Sequence, residues 1–137
     1  MARQLERYIQ ETLITAPIGY AGAQEGDIVT INTSGQLVLA GLGVPGPIGM
    51  IVNGGVNIGD PASAATNAVT IDPAATYTVG ARIWPAASGG ITQTSPATAG
   101  DVLTPIGIAL TAQVAIWDFA ASTFVYQAAA TSTVAQG

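Results

Sequence analysis

The stretch that decides the fold is residues 80–110, which read GARIWPAASGGITQTSPATAGDVLTPIGIAL. This stretch has an apolar run, a small-residue turn at residues 88–90, a Thr-rich run, and a last run opening with Pro-Ile-Gly. Residues 26–52 follow the same plan around a turn at Ser34-Gly35, in the sequence GDIVTINTSGQLVLAGLGVPGPIGMIV. Short β-type runs separated by Gly and Ser turns are typical of β-hairpins. Each copy therefore predicts a hairpin followed by a third strand.

The rest of the body continues this pattern, so the predicted fold class is all-β. Turns rich in Gly, Pro, Ser, Asn and Asp recur at the short spacing of sandwiches and barrels. We predict a small antiparallel β-barrel or sandwich over residues 18–127, built from the two related hairpin-plus-strand units. The predicted strands are Asp27–Asn32, Gln36–Ala40, Ile48–Val52, Ala68–Ile71, Tyr77–Pro85, Gly90–Thr94, Ile106–Ala112, Val114–Phe119 and Phe124–Gln127.

Residues 1–17 differ from the body, because they hold two of the three basic residues of the chain. We predict that they form an N-terminal arm that lies on a neighbouring subunit; packing on the chain's own barrel is the alternative. The apolar spacing fits a short amphipathic helix, while residues 8–15 suit an extended strand equally well. The predicted contact residues of the arm are Arg3, Leu5, Arg7, Tyr8, Ile9 and Leu13. Residues 128–137 form an Ala/Thr/Ser-rich C-terminal tail.

The composition excludes several classes of function. The chain has a net charge of −5 and no lysine, whereas nucleic-acid binding and polybasic membrane attachment both need clustered basic residues. It has no Cys and no His, which excludes metal sites and catalytic triads that use them. No apolar run reaches the roughly 20 residues of a membrane helix. We expect no nucleic-acid partner, no membrane, no metal and no cofactor.

The low charge content points toward assembly. Only 8% of the residues are charged, although an isolated soluble domain usually carries far more charge. Four of the eight acids stand where carboxylates cap turns: Asp27 and Asp101 follow Gly, and Asp60 and Asp72 precede Pro. We therefore predict no catalytic residues; a hydrolase would have to use Asp27 or Asp101. Residues 41–46 spell GxGxxG, but β-type residues follow instead of the helix of a dinucleotide site, which predicts a loop.

Three residues of the body are candidates for subunit interfaces. Arg82 is the only basic residue of the body, and it is predicted either to lie exposed in mid-strand or to form an intersubunit ion pair. Trp84 and Trp117 are predicted core or barrel-end residues, and Trp is also favoured at interfaces.

The second copy resembles small capsid decoration proteins of tailed phages. The resemblance rests on residues 80–84 (GARIW), 88–94 (SGGITQT), 105–110 (PIGIAL) and 114–117 (VAIW), with residues 26–29 (GDIV) matching an earlier strand motif of that family. It implies a compact β-barrel that trimerises on the outer capsid surface. It also implies that the protein is made in the host cytoplasm and joins neighbouring major capsid protein subunits. The alternative is a carbohydrate- or receptor-binding β-module of a virion fibre or tail, with Trp84 and Trp117 at its binding surface.

Overall fold

The computed structural model describes residues 6–7, 12–42, 46–54, 57–119 and 125. Within these residues the chain forms strands and one short 3-10 turn, Ala87–Gly89, so the all-β prediction is confirmed. The strands are β1 (Glu6–Arg7), β2 (Thr12–Pro17), β3 (Ile28–Ile31), β4 (Leu37–Leu39), β5 (Gly49–Gly54), β6 (Pro61–Ile71), β7 (Arg82–Ala86), β8 (Gly90–Thr92), β9 (Gly107–Ala109) and β10 (Val114–Asp118). The predicted strand Phe124–Gln127 lies outside the described residues, apart from residue 125.

Two four-stranded units share one pairing scheme. In the first unit, β3 pairs with both β4 and β5, and β5 continues to β6. In the second unit, β7 pairs with both β8 and β9, and β9 continues to β10. The fourth strands, β6 and β10, pair with each other, and the whole is a curled antiparallel sheet that forms a half-barrel. The repeat in the sequence is therefore a repeat of strand pairing.

The Pro-Ile-Gly phrase attaches the third strand of each unit in the same way. The backbone N–H of Ile48 donates to the carbonyl oxygen of Val29 at 2.8 Å. The N–H of Ile106 donates to the carbonyl oxygen of Ile83 at 2.7 Å. Val29 and Ile83 are thus equivalent positions of the two first strands, and each lies opposite the glycine of the phrase.

The glycine of that phrase permits a close backbone approach in both units. A Cβ atom at Gly49 would lie 2.8 Å from the carbonyl oxygen of Ala65 in β6. A Cβ atom at Gly107 would lie 2.7 Å from the carbonyl oxygen of Ile116 in β10. Both distances are too short for a carbon and an oxygen without movement of the strands, so any larger residue forces the third and fourth strands apart.

β6 is the longest strand and joins the two units. β1 and β2 pair along one edge of β6, and β5 and β10 lie end to end along the other. The two edges are distinguished at Asn67, which has Thr12 on one side and Asp118 on the other. The prediction placed a strand only over Ala68–Ile71, whereas β6 begins at Pro61. Pairing on both edges imposes an extended conformation on a run of Ala and Ser with little preference for it.

The N-terminal segment is extended where it is described. β2 pairs with β6 of the same chain, from Thr12 opposite Asn67 to Pro17 opposite Pro61. Of the two predicted conformations, residues 12–17 adopt the strand, and they pack on the chain's own sheet. Residues 1–5 and 8–11 lie outside the described residues. That the arm contacts a neighbouring subunit stays a prediction.

Two buried clusters hold the sheet together. The first cluster lies between the units, and both units supply side chains to it; we call it the shared core. Its larger members are Ile28, Met50, Val52, Ile83, Ile106, Trp117 and Phe119. The first-unit core lies on the opposite face of the first unit, where residues 18–23 cover the sheet. Its members are Ile18, Ala23, Val29, Leu37, Ile51, Ala62 and Ala64.

The turn between β7 and β8 links the free ends of the two units. The backbone N–H of Gly89 donates to the carbonyl oxygen of Ala40 at 2.9 Å. Gly89 has a φ of 75°, and a Cβ atom there would lie 2.5 Å from a methyl carbon of Leu39. Glycine is required at this position for both its conformation and its close approach.

Candidate functional site

Three carboxylates of the body hold turns. Asp27 Oδ2 accepts the N–H of Gln24 at 3.1 Å, and Asp60 Oδ2 accepts the N–H of Asn57 at 3.1 Å. Asp72, which is buried, accepts the N–H of Ala74 at 3.0 Å through Oδ1. The turn-capping prediction is confirmed for these three residues. In the described part of the chain, no three His, Cys, Asp or Glu side chains lie close enough to hold a metal ion.

Asp27 has a second task, which is to fix Tyr20 over the first-unit core. The Tyr20 hydroxyl donates to Asp27 Oδ2 at 2.7 Å. Burial of the phenol, followed by its hydrogen bond to Asp27 and the charge of that carboxylate, raises the pKa of Tyr20 above its ordinary value. The Asp27 carboxylate therefore has two structural roles, since it holds the turn at Gln24 and fixes the Tyr20 side chain. Asp101, the other acid considered for a hydrolase, lies in a turn where its N–H donates to the Thr98 oxygen at 3.1 Å.

The glycine-rich segment leads into a strand. Residues 43–45 lie outside the described residues, and residues 46–48 run directly into β5 at Gly49. A dinucleotide-binding turn places its pyrophosphate at the N-terminus of a helix that begins within the motif. A strand follows the motif here, as we predicted, instead of the helix of a dinucleotide site.

Trp117 belongs to the shared core rather than to a surface. Its side chain is 1% exposed, and its Nε1–H donates to the Thr70 hydroxyl at 2.8 Å. Its ring stacks with that of Phe119 at a centroid distance of 6.4 Å. Of its two predicted roles, core and interface, the structure supports the core, so the interface assignment of Trp117 is corrected.

The other candidates are more accessible. Trp84 is half-buried and donates its Nε1–H to the carbonyl oxygen of Leu103 at 3.0 Å. Arg82 is exposed at the start of β7, and Leu13 in β2 is 49% exposed. Arg7 lies in β1, opposite Thr70 of β6. The arm residues Arg3, Leu5, Tyr8 and Ile9 lie outside the described residues.

A cleft on the second unit brings Arg82 together with residues that the sequence did not single out. Arg82, Ile108, Ile116 and Val69 lie side by side in one row across β7, β9, β10 and β6. Asp118 stands two residues along β10 from Ile116, on the same face of the sheet. Arg82, Ile108, Ile116 and Asp118 line a cleft of about 260 Å³, together with neighbouring residues that include Thr104 and Pro105. We call this surface the second-unit outer face.

Strand alternation separates the two faces of β10, but it does not show which face is covered. Ala115 and Trp117 point into the shared core, so Val114, Ile116 and Asp118 point outward. Ile116 is 38% exposed, and its apolar side chain therefore meets solvent beside two charged ones. The isolated sequence of β10 does not distinguish the two faces, because both carry apolar residues.

A second cavity of about 350 Å³ lies between the loop after β6 and strand β8. Asp72, Thr76, Tyr77 and Gln93 supply its polar lining, and Ile83 and Ile91 its apolar lining. The Gln93 amide accepts the N–H of Thr78 at 2.8 Å and donates to its carbonyl oxygen at 2.9 Å. These two hydrogen bonds to Thr78 fix the Gln93 side chain, which forms part of the polar lining of the cavity.

Comparison with known proteins does not place this chain in a family. No protein-family model, curated protein or solved structure matches it. Among the described residues, no helix is long and apolar enough to cross a membrane.

Proposed function

We propose that this protein is a structural virion protein that decorates the outer surface of a phage capsid. It stabilises the shell by clamping neighbouring major capsid protein subunits. The observation that carries the proposal is the position of the motifs behind the resemblance. Residues 80–117 form one complete structural unit, β7 to β10, and the earlier GDIV motif opens the equivalent β3 of the other unit. The resemblance thus follows the repeat of the fold.

The chemistry of the body supports a structural task. The carboxylates of Asp27, Asp60 and Asp72 hold turns, and the aromatic ring of Trp117 fills the shared core. A low-charge surface rich in small residues allows neighbouring subunits to approach closely, and many copies on a symmetric shell convert modest contacts into high avidity. The proposed partners are the major capsid protein and further copies of this chain, as a homotrimer on the virion surface.

The N-terminal segment supplies the proposed clamp. Leu13 is a large apolar side chain, half-exposed on the edge strand β2. Among the described strands β2 pairs only with β6, and an edge strand of this kind is where a strand of a neighbouring chain can add to a sheet. Deleting residues 1–16 would also remove most of β2 from β6, so a point substitution is the cleaner test of the clamp.

The test uses the full-length protein and shells of a tailed phage that lack their decoration protein. Cosedimentation measures binding, and calorimetry measures the melting temperature of the shells. We expect the protein to bind and to raise that temperature, and Leu13→Asp to weaken binding by about tenfold or more, since an apolar contact is lost. Val79→Asp is the matched control, because Val79 is an apolar residue that is 62% exposed and lies outside β2.

Failure to bind the shells tested would count against the proposal only for those shells, so shells of several phage groups are needed. A protein that binds none of them, in any oligomeric form, contradicts the decoration function. Equal loss of binding by Leu13→Asp and Val79→Asp would leave the decoration function standing and remove the clamp assignment.

The second candidate is a carbohydrate-binding module, which the cavity beside Tyr77 favours. A sugar typically binds against an aromatic ring with polar groups around it, and Thr76 and Gln93 are such groups. Of the two residues predicted for this alternative, Trp117 is buried in the shared core, whereas Trp84 is half-buried and donates its indole N–H to the Leu103 carbonyl oxygen. Binding to a glycan array that is lost in Tyr77→Ala and kept in Trp84→Phe would favour this function.

A further inference from the structure

The second-unit outer face has a buried counterpart in the first unit. Val29 and Ile83 are equivalent, so the residues before them, Ile28 and Arg82, are equivalent too. Ile28 pairs with Met50 in the first unit, just as Arg82 pairs with Ile108 in the second. The same face of the repeated unit is therefore occupied in one case and open in the other.

In the first unit this face is a packing surface. Ile28 and Met50 are 0% and 1% exposed, and they belong to the shared core together with Ile83 and Trp117 of the second unit. The opposite face of the first unit is covered by residues 18–23. Three layers therefore follow one another: residues 18–23, the first unit and the second unit. The second-unit outer face is the far side of the third layer, and no described residues cover it.

The uncovered face carries two opposite charges. Arg82 and Asp118 are both exposed and both line the cleft that contains Ile108 and Ile116. Neither side chain has a hydrogen-bonding or ionic partner in the described part of the chain. An arginine that lies beside an apolar cleft without a carboxylate partner is well placed to accept one from another molecule.

We propose that the second-unit outer face is the contact between copies of this chain, in which Arg82 of one copy pairs with Asp118 of the next. The face holds one charge of each sign around an apolar centre, which is the charge pattern that such a pairing needs. Ile108 and Ile116 of neighbouring copies pack together at that centre and shield the ion pair from water. The arrangement is compatible with a ring, since each copy offers one donor and one acceptor.

Charge favours a second copy over other occupants. Arg82 is the only basic residue between positions 18 and 137, in a chain with a net charge of −5. Copies of such an acidic chain repel one another unless their contact places unlike charges together. The inference rests on the proposed function for the expectation that copies associate, and it adds the surface by which they do so.

The experiment is light scattering coupled to size-exclusion chromatography on the full-length chain over a range of concentrations. The variants are Arg82→Asp, Asp118→Arg and the double charge exchange. We expect the wild type to be oligomeric and each single variant to dissociate about tenfold more readily or worse, since like charges then face each other. The double variant restores association, because the pair is re-formed with reversed polarity. Circular dichroism confirms that each variant is folded.

Two further variants sharpen the result. Glu25→Arg makes the same change of charge as Asp118→Arg in the turn before β3, and we expect it to leave association unchanged. Ile116→Thr keeps a β-branched residue in β10 while removing apolar surface, and we expect it to weaken association.

The outcomes separate this inference from the proposed function. A wild type that is monomeric at every concentration overturns the inference, as do single variants that associate like the wild type. If removal of residues 126–137 alone exposes a self-associating face, the chain's own tail is the occupant, which also overturns it. Wild-type binding to phage shells is measured separately, so a protein that associates as proposed but binds no shell overturns only the decoration function.

Discussion

The two units of this protein have the same strand pairing but different surroundings. The first unit is buried on both faces, by residues 18–23 on one side and by the second unit on the other. The second unit is buried on one face and open on the other, where Arg82 replaces the equivalent Ile28. The two units therefore share their backbone hydrogen bonding, whereas their side chains differ according to whether each face is buried or exposed.

The comparison also shows which residues belong to the plan itself. Gly49 and Gly107 occupy equivalent positions and meet equivalent carbonyl oxygens, although their units face different environments. Backbone geometry is the same in both copies and requires the same residue. Ile28 and Arg82 occupy equivalent positions as well, yet they differ, because nothing in the pairing depends on their side chains.

The largest expected effect tests whether the units fold as one. Trp117→Ala removes the main side chain that the second unit contributes to the shared core, and leaves the Thr70 hydroxyl without its indole donor. We expect a loss of about 3–5 kcal/mol in the free energy of unfolding, as for other large-to-small core substitutions. Urea unfolding followed by circular dichroism measures it. Two separate transitions would contradict a core shared by both units.

A smaller effect tests the equivalence of the two glycines. Gly49→Ala and Gly107→Ala each force a methyl group against a backbone oxygen, and we expect each to cost about 1–3 kcal/mol of unfolding free energy. Gly41→Ala is the control, since a Cβ atom at Gly41 would have no heavy atom within 4 Å. Thermal unfolding of the three variants gives the comparison. A large loss of unfolding free energy in only one of the two variants would show that the two glycines are not structurally equivalent.

The smallest effect concerns the layer that only the first unit has. The pKa of Tyr20 is raised by burial and by Asp27, so the neutral phenol stabilises the folded state. That contribution is fully present below the ordinary tyrosine pKa of about 10 and is lost as the pH rises above it. Tyr20→Phe loses the hydrogen bond, about 1 kcal/mol at neutral pH, but we expect its stability to fall less steeply between about pH 9 and 11.

Unfolding midpoints in urea across this pH range provide the measurement. Parallel curves for the wild type and Tyr20→Phe would mean that Tyr20 does not govern the alkaline loss of stability. Residues 18–23 would then cover the first unit without a contribution from this ionisable group.

The hairpins were predictable from the sequence because their turns use residues with fixed geometric tasks. Asn32 Oδ1 accepts the N–H groups of Ser34 and Gln36 at 2.9 Å each, and Gly35 has a φ of 78°, as the Asn-Thr-Ser-Gly turn predicts. β7 is shorter than predicted, because residues 77–80 form a turn that the side chain of Gln93 holds. The Gln93 side chain bonds the backbone of Thr78, as a neighbouring strand would do, and such a contact leaves no local pattern in the sequence.

The central strand and the candidate interface were less accessible to prediction. β6 has no alternation of large apolar and polar residues, since Ala62, Ala64 and Ala65 are all buried and all small. Its extended conformation comes from partners that are distant in sequence. Arg82 was recognised from its scarcity alone. Ile116 and Asp118 needed the structure, because only tertiary packing determines which face of β10 is covered.

The position of β6 also determines when the chain can acquire its structure during synthesis. β2 emerges from the ribosome some 50 residues before its partner: the hydrogen-bonded pair Thr15 and Ser63 is separated by 48 positions. The other edge of β6 waits for β10, and Trp117 meets Thr70 across 47 positions. Pairings over such separations form slowly, because a long loop must close before any contact is gained. The nascent strand β2 therefore stays without its partner until β6 has been made, and β6 itself is paired on both edges only after β10 leaves the ribosome.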